Sequence, residues 1–193
     1  MNNQVWTDLT DPSDIELVPL LPERTHRIAT TELKRVRAFE EEAFPSLESH
    51  GSESTDDYLF GELAYPVFSP DADDIGTISL RIVIDFERLI TVTRTPRNLP
   101  EDVKMPDLSG LLVRAQAKAL ESGSCFCFLM EEVTHEINRL VEIIEDRSEI
   151  VEQLLNYDEK PPTDCRKQLA RLRNHFLQLK VVIQPTLTLV DGI

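Results

Sequence analysis

Glu131 and His135 stand four residues apart in a stretch of helical periodicity, so both fall on one helix face, a spacing that holds zinc when a third ligand joins. His26, His50 and His175 are scattered and none pairs with His135 at a useful spacing, so an ordinary surface contact is the simpler reading. The three cysteines, Cys125, Cys127 and Cys165, are odd in number, and the C-x-C spacing of the first two is neither a zinc knuckle nor a C-x-x-C redox pair. They read as reduced thiols used for packing. Glu136, Glu142, Glu145, Asp146, Glu149 and Glu152 form an acid-rich stretch, most simply the wet face of an amphipathic helix and alternatively a surface that draws cations. No nucleophile elbow, phosphate-binding loop, dinucleotide fingerprint or H-E-x-x-H motif is present, and nothing in the sequence asks for an enzyme.

The whole chain carries a formal charge of −15, from 35 acidic against 20 basic residues. Such a field repels phosphate backbones and anionic headgroups, which counts against nucleic acid as a partner, and it concentrates cations. With 193 residues, 41% apolar and 28% charged, the composition is that of a folded domain with a real core. No apolar run of eighteen or more residues occurs, and Met1 is not followed by a secretory signal, so the chain reads as soluble and intracellular.

Two parts are expected, an α/β part over residues 1–107 and a helical part over 108–193. Val5 to Leu9 reads as a short strand, and Asp11-Pro12-Ser13-Asp14 supplies turn and helix-start chemistry. Helical spacing from Glu32 to Phe44 stops at Pro45, and the polar run from Ser46 to Asp57 reads as a loop. Tyr58 to Val67 and Ile75 to Asp85 read as strands, the second with Ile78, Leu80, Ile82 and Ile84 strictly alternating, and Phe86-Glu87-Arg88 connects it to a strand over Leu89 to Thr93.

The helical part predicts a helix over 109–121, a break at Ser122-Gly123, a long acidic helix over 125–156 and a heptad helix over 163–190 that returns antiparallel to it. The long helix carries Leu129, Val133, Ile137, Leu140, Ile144 and Val151 on its apolar face; the heptad helix carries Leu169, Leu172, Phe176, Leu179 and Ile183, with Pro185 expected to kink it. The apolar stripe still runs at Val190 and Ile193, and we expect the natural chain to continue past this point.

The order of these elements, with several local strings, resembles the cytoplasmic half of CorA-type divalent-cation transporters. Val5-Trp6-Thr7-Asp8-Leu9 with Asp11-Pro12 is similar to the family's opening strand and turn; Asp56-Asp57-Tyr58-Leu59-Phe60 and Leu89-Ile90-Thr91-Val92 resemble two of its strands; Leu179-Lys180 with Ile183 and Pro185 resembles the stretch before its stalk. The resemblance implies an α/β/α sandwich with a mixed sheet followed by a long antiparallel helical hairpin. It also implies a regulatory role, at the cytoplasmic face of the membrane, in a homopentamer that moves Mg2+, with Co2+, Ni2+ or Zn2+ as other cargoes. The family's Gly-Met-Asn pore signature and membrane helices are absent from these residues, so contact with a membrane would come only through missing C-terminal helices. Carried onto this sequence, the family's acidic positions fall on Glu41 and Glu42, where the family more often has Glu-Asp, and on Glu131. These are the expected carboxylates for a regulatory magnesium ion, a metal that keeps several waters and needs only one or two anionic oxygens. The alternatives are a metal-independent scaffold, as in the zinc-transporter branch, and a soluble helical interaction protein.

Overall fold

A computed structural model describes residues 5–23, 25, 27–36, 47–52, 55–71, 73–157 and 165–191. Its frame is a five-stranded mixed sheet in the order β1-β5-β4-β3-β2, built from β1 (Trp6–Thr10), β2 (Leu47–Ser52), β3 (Thr55–Ser69), β4 (Asp74–Ile84) and β5 (Leu89–Thr93). Only β1 and β5 run parallel; β5-β4-β3-β2 form a continuous antiparallel meander. Strict alternation in β4 sends Ile78, Leu80 and Ile82 to one face of the sheet, where they are fully buried, as a two-residue period dictates.

Each face of the sheet has its own helical cover. On one side α1 (Asp14–Leu17) and α2 (Arg27–Lys34) lay Leu17, Ala29 and Leu33 over Tyr58, Phe60, Val83, Ile90 and Val92. On the other, α3 (Ser109–Ala117), α4 (Ser122–Tyr157) and α5 (Cys165–Asp191) cover Trp6, Leu63, Tyr65, Leu80 and Leu89. The result is the three-layer α/β/α sandwich expected from the sequence. The larger core joins Trp6 and Leu63 of the sheet to Leu129, Val133 and Leu140 of α4, so the two parts of the chain share one apolar interior.

Local chemistry explains the element ends. The Asp11 backbone sits at φ 49°, and its carboxylate accepts hydrogen bonds from the backbone N–H and the hydroxyl of Thr95, closing the C-terminal end of the β1-β5 pair. Arg94 donates to the carbonyls of Pro12 (2.6 Å) and Leu33 (3.1 Å), tying the α1 and α2 layer to the sheet. In the β4-β5 turn, Asp85 Oδ1 accepts from the N–H groups of Glu87 and Arg88, both at 2.8 Å, and Ser122 Oγ donates to the Asp85 carbonyl at 2.8 Å.

Four expectations need correction. The polar run expected as a loop contains β2, an edge strand drawn into the sheet by β3, which starts three residues earlier than expected. The helix expected from Glu32 instead ends at Lys34, with Arg35 and Val36 outside it, and begins at Arg27; residues 37–46 lie outside the described residues. The helix expected to reach Glu121 stops at Ala117, because Ala119 adopts a left-handed conformation (φ 48°) that no helix continues through. Ser122 and Gly123 then open α4 rather than break the chain.

Along α5 the apolar heptad is only half buried. Leu179 is enclosed and Leu172 and Ile183 partly so, while Leu169 and Phe176 face outward. Cys165 and His175 take buried places on the inner face instead, since α5 packs at once on α4, β3 and β4. Helix α5 runs without interruption through Pro185.

Candidate functional site

The apolar stripe of α4 fixes where its charges go. Leu129, Val133, Leu140 and Ile144 are buried against the sheet, so Glu131, Glu142, Glu145, Asp146, Glu149 and Glu152 are exposed along its outer side. Glu136 is partly buried and pairs with Arg139 at 2.8 Å. Near the sheet, burial raises the Tyr65 phenol well above its ordinary value, and the carboxylates of Glu136 and Glu132 push it further, with Arg139 opposing. This tyrosine stays neutral and works as a packing group.

Glu131 lies in an open depression of about 690 Å³ with Cys127 and His135, all contributed by α4 itself. The helix therefore places Glu131 and His135 on one face, as their spacing demands. Among the described residues no group of three His, Cys, Asp or Glu side chains is arranged to hold a metal ion. Glu41 and Glu42, the other two expected carboxylates, lie outside the described residues, so the structure does not bring the three together or part them. What the α4 surface can do chemically is attract hydrated cations without caging them. Of the cysteines, Cys125 and Cys165 are buried and Cys127 is exposed, all as free thiols; burial raises the Cys125 thiol.

A second polar assembly, which sequence reasoning passed over, forms where the β3-β4 turn meets α4 and α5. Asp73, at φ 55°, makes an ion pair with Arg147 of α4 and faces Arg171 of α5 across 3.4 Å. His175 Nε2 meets the Asp73 carbonyl at 2.8 Å, and Gln178 donates to Asp74 at 2.6 Å. The guanidinium of Arg147 stands 4.9 Å from the centre of the Phe68 ring, and the His175 ring meets the same phenylalanine edge-on. The only advance signal was the i, i+3, i+4, i+7 placement of Gln168, Arg171, Leu172 and His175 on one face of α5, indistinguishable by itself from a solvated stripe.

Near the other end of the sheet, Trp6 Nε1 donates to Thr91 Oγ1 at 3.1 Å and that hydroxyl donates to Asp8 Oδ1 at 2.6 Å. Burial raises the Asp8 carboxyl above its ordinary value; the Thr91 bond works against this and the neighbouring Asp107 charge adds to it. Asp107 is itself held low by the Ser109 hydroxyl and N–H at the start of α3.

Among the described residues no helix is long and apolar enough to cross a membrane. A family model described as "CorA-like Mg2+ transporter protein" matches residues 2–193. No curated protein sequence matches the chain. Among solved structures, the full-length CmaX protein superposes with a TM-score of 0.60 at 17% identity, over 97% of this chain and 66% of that one. The CorA magnesium transporter from Methanocaldococcus jannaschii gives a TM-score of 0.46 at 15% identity, over 96% of this chain and 67% of that one. The chain thus spans just under two thirds of the CmaX protein, and that likeness is one of fold.

Proposed function

The chain belongs to the CorA-like Mg2+ transporter family, and from that premise we propose that it forms the cytoplasmic, metal-sensing domain of a divalent-cation transporter. The observation that carries the reading is the outer side of α4, where Glu131, Glu142, Glu145, Glu149 and Glu152 stand exposed on a chain of net charge −15. Like charges brought together between neighbouring subunits repel, and a hydrated divalent cation placed between them relieves that repulsion. Glu41, Glu42 and Glu131 are the carboxylates assigned to such an ion. Magnesium bound between subunits of a homopentamer would favour a closed arrangement, and its loss would let the domains separate, a population shift set by differential affinity. Mg2+ is the regulatory ion in this reading; Co2+, Ni2+ and Zn2+ are the other candidate cargoes.

The test is transport by the full-length protein carrying Glu41→Ala, Glu42→Ala and Glu131→Ala together. Loss of inhibition by internal magnesium is expected, with transport itself retained. Magnesium inhibition unchanged in the triple variant would sink the proposal and favour a metal-independent scaffold. In the 193-residue chain, magnesium should raise the thermal midpoint, because a ligand that binds only the native state stabilises it.

A further inference from the structure

The β3-β4 turn, α4 and α5 form a half-open pocket of about 200 Å³ lined by Arg147, Gln168, Arg171 and His175 beside an apolar wall of Val151 and Leu172. Among the described residues Asp73 is the one carboxylate on its lining, and it is shared between Arg147 and Arg171. A guanidinium presents five N–H donors, so one carboxylate leaves most donors of the two arginines for something else. The cavity is therefore cationic within a strongly acidic chain.

His175 is 2% exposed. Its Nε2 faces a backbone carbonyl, which only accepts, so Nε2 carries a proton, and the neutral tautomer that fits this contact has its lone pair at Nδ1. Nδ1 is buried without a hydrogen-bond partner among the described residues, and so is Gln168 Oε1. Native structures rarely leave buried acceptors without donors. An occupant suited to these groups needs negative charge for the arginines and an O–H for at least one of the two acceptors.

We propose that this cavity binds a small oxyanion that also carries a hydroxyl: hydrogen phosphate or a hydroxyl-bearing phosphate ester. Arg171, with its side chain 66% exposed, stands at the mouth, where its planar fork suits a phosphate, and Arg147 meets the anion further in. In an ester, the carbon atoms cover Val151 and Leu172. The ligand joins the sheet's hairpin turn to both long helices, and the site is independent of the metal-sensing surface on α4.

Calorimetric titration of the 193-residue chain with sodium phosphate, sodium glycerol phosphate and sodium sulfate, at pH 7 and matched ionic strength, tests this directly. Phosphate and glycerol phosphate supply an O–H and sulfate does not. Saturable binding of one or both phosphates, at least about tenfold tighter than sulfate, is the expected result. Tighter binding of glycerol phosphate identifies an ester as the occupant, and equal or tighter binding of phosphate identifies the inorganic ion. Arg171→Gln should weaken the phosphates at least about tenfold while leaving the ligand-free thermal midpoint unchanged, and Gln168→Met should narrow the preference over sulfate. No saturable binding at about 10 mM, equal affinity for sulfate, or an Arg171→Gln variant that binds like the parent would each overturn the proposal.

Discussion

Glu62 and Arg81 face each other directly across the β3-β4 ladder, with Glu62 Oε1 3.9 Å from Arg81 Nε and both side chains shut away from water. Ser79 donates its hydroxyl to the same carboxylate oxygen. A buried pair of this kind adds little net stability as a pair, but removing one partner takes away a group that balances the other charge. Glu62→Ala should therefore destabilise the chain in a urea unfolding curve, by up to about 3 kcal/mol. Glu62→Gln, which keeps an acceptor for Ser79, should cost less. Equal stability of parent and Glu62→Ala would show that the arginine is not balanced by this carboxylate.

Asp73 has two duties, one in its backbone and one in its carboxylate. Its left-handed conformation is one that Asn and Asp tolerate and that costs other non-glycine residues roughly 1–2 kcal/mol. Its carboxylate meets Arg147 and Arg171. Asp73→Asn should lose only the charge, while Asp73→Ala should lose the charge and add the backbone strain. Chemical denaturation should then place the alanine variant about 1 kcal/mol below the asparagine variant; the reverse order would separate the turn's conformation from its stability.

Much of the fold was legible because periodicity survives in single elements. Ile78, Leu80 and Ile82 announced β4, and Leu129, Val133 and Leu140 announced the inner face of α4, since burial on one side imposes a fixed spacing. Elements whose state is decided by a neighbour were not legible. Leu47–Ser52 has Glu, Ser, His and Gly in a row, a composition that favours turns, and becomes a strand because β3 offers it an open edge. Ala119 gives no sign of the left-handed turn that ends α3. The polar assembly joins Asp73 to Arg147 and to His175, 74 and 102 positions further along the chain, separations at which spacing carries no information.

The two long helices should differ sharply in how they respond to truncation of an apolar side chain. Leu140 of α4 is completely buried, and Leu140→Ala should cost about 2–5 kcal/mol through lost transfer energy and the cavity left behind. Phe176 of α5 belongs to the heptad pattern in sequence but is 53% exposed. Phe176→Ala should stay near 0.5 kcal/mol in the isolated chain, the usual size for a surface site. A cost for Phe176→Ala that rises with protein concentration would reveal that another molecule covers this face.

Asp8 should make the chain less stable as the pH rises from acid. Burial lifts its folded-state carboxyl above the ordinary value of 3.8, with the Thr91 hydrogen bond opposing the rise and the Asp107 charge adding to it. Between the unfolded and the folded values the native state holds the proton that the unfolded chain has released. Stability then falls with increasing pH across that window, and the loss is complete once the folded carboxyl has also ionised. Asp8→Asn keeps an oxygen to accept the Thr91 hydroxyl and removes the titration. The variant should unfold at a higher temperature than the parent at pH 7, and the gap should close as both are brought down to about pH 4. In an Asp107→Asn background the effect of Asp8→Asn at neutral pH should shrink, because the second carboxylate that raises Asp8 is gone. Parent and Asp8→Asn midpoints that run parallel from pH 4 to pH 7 would mean that the ionised Asp8 carboxylate is as well accommodated in the folded chain as in water, and that the Trp6-Thr91-Asp8 chain of hydrogen bonds offsets the whole cost of its burial.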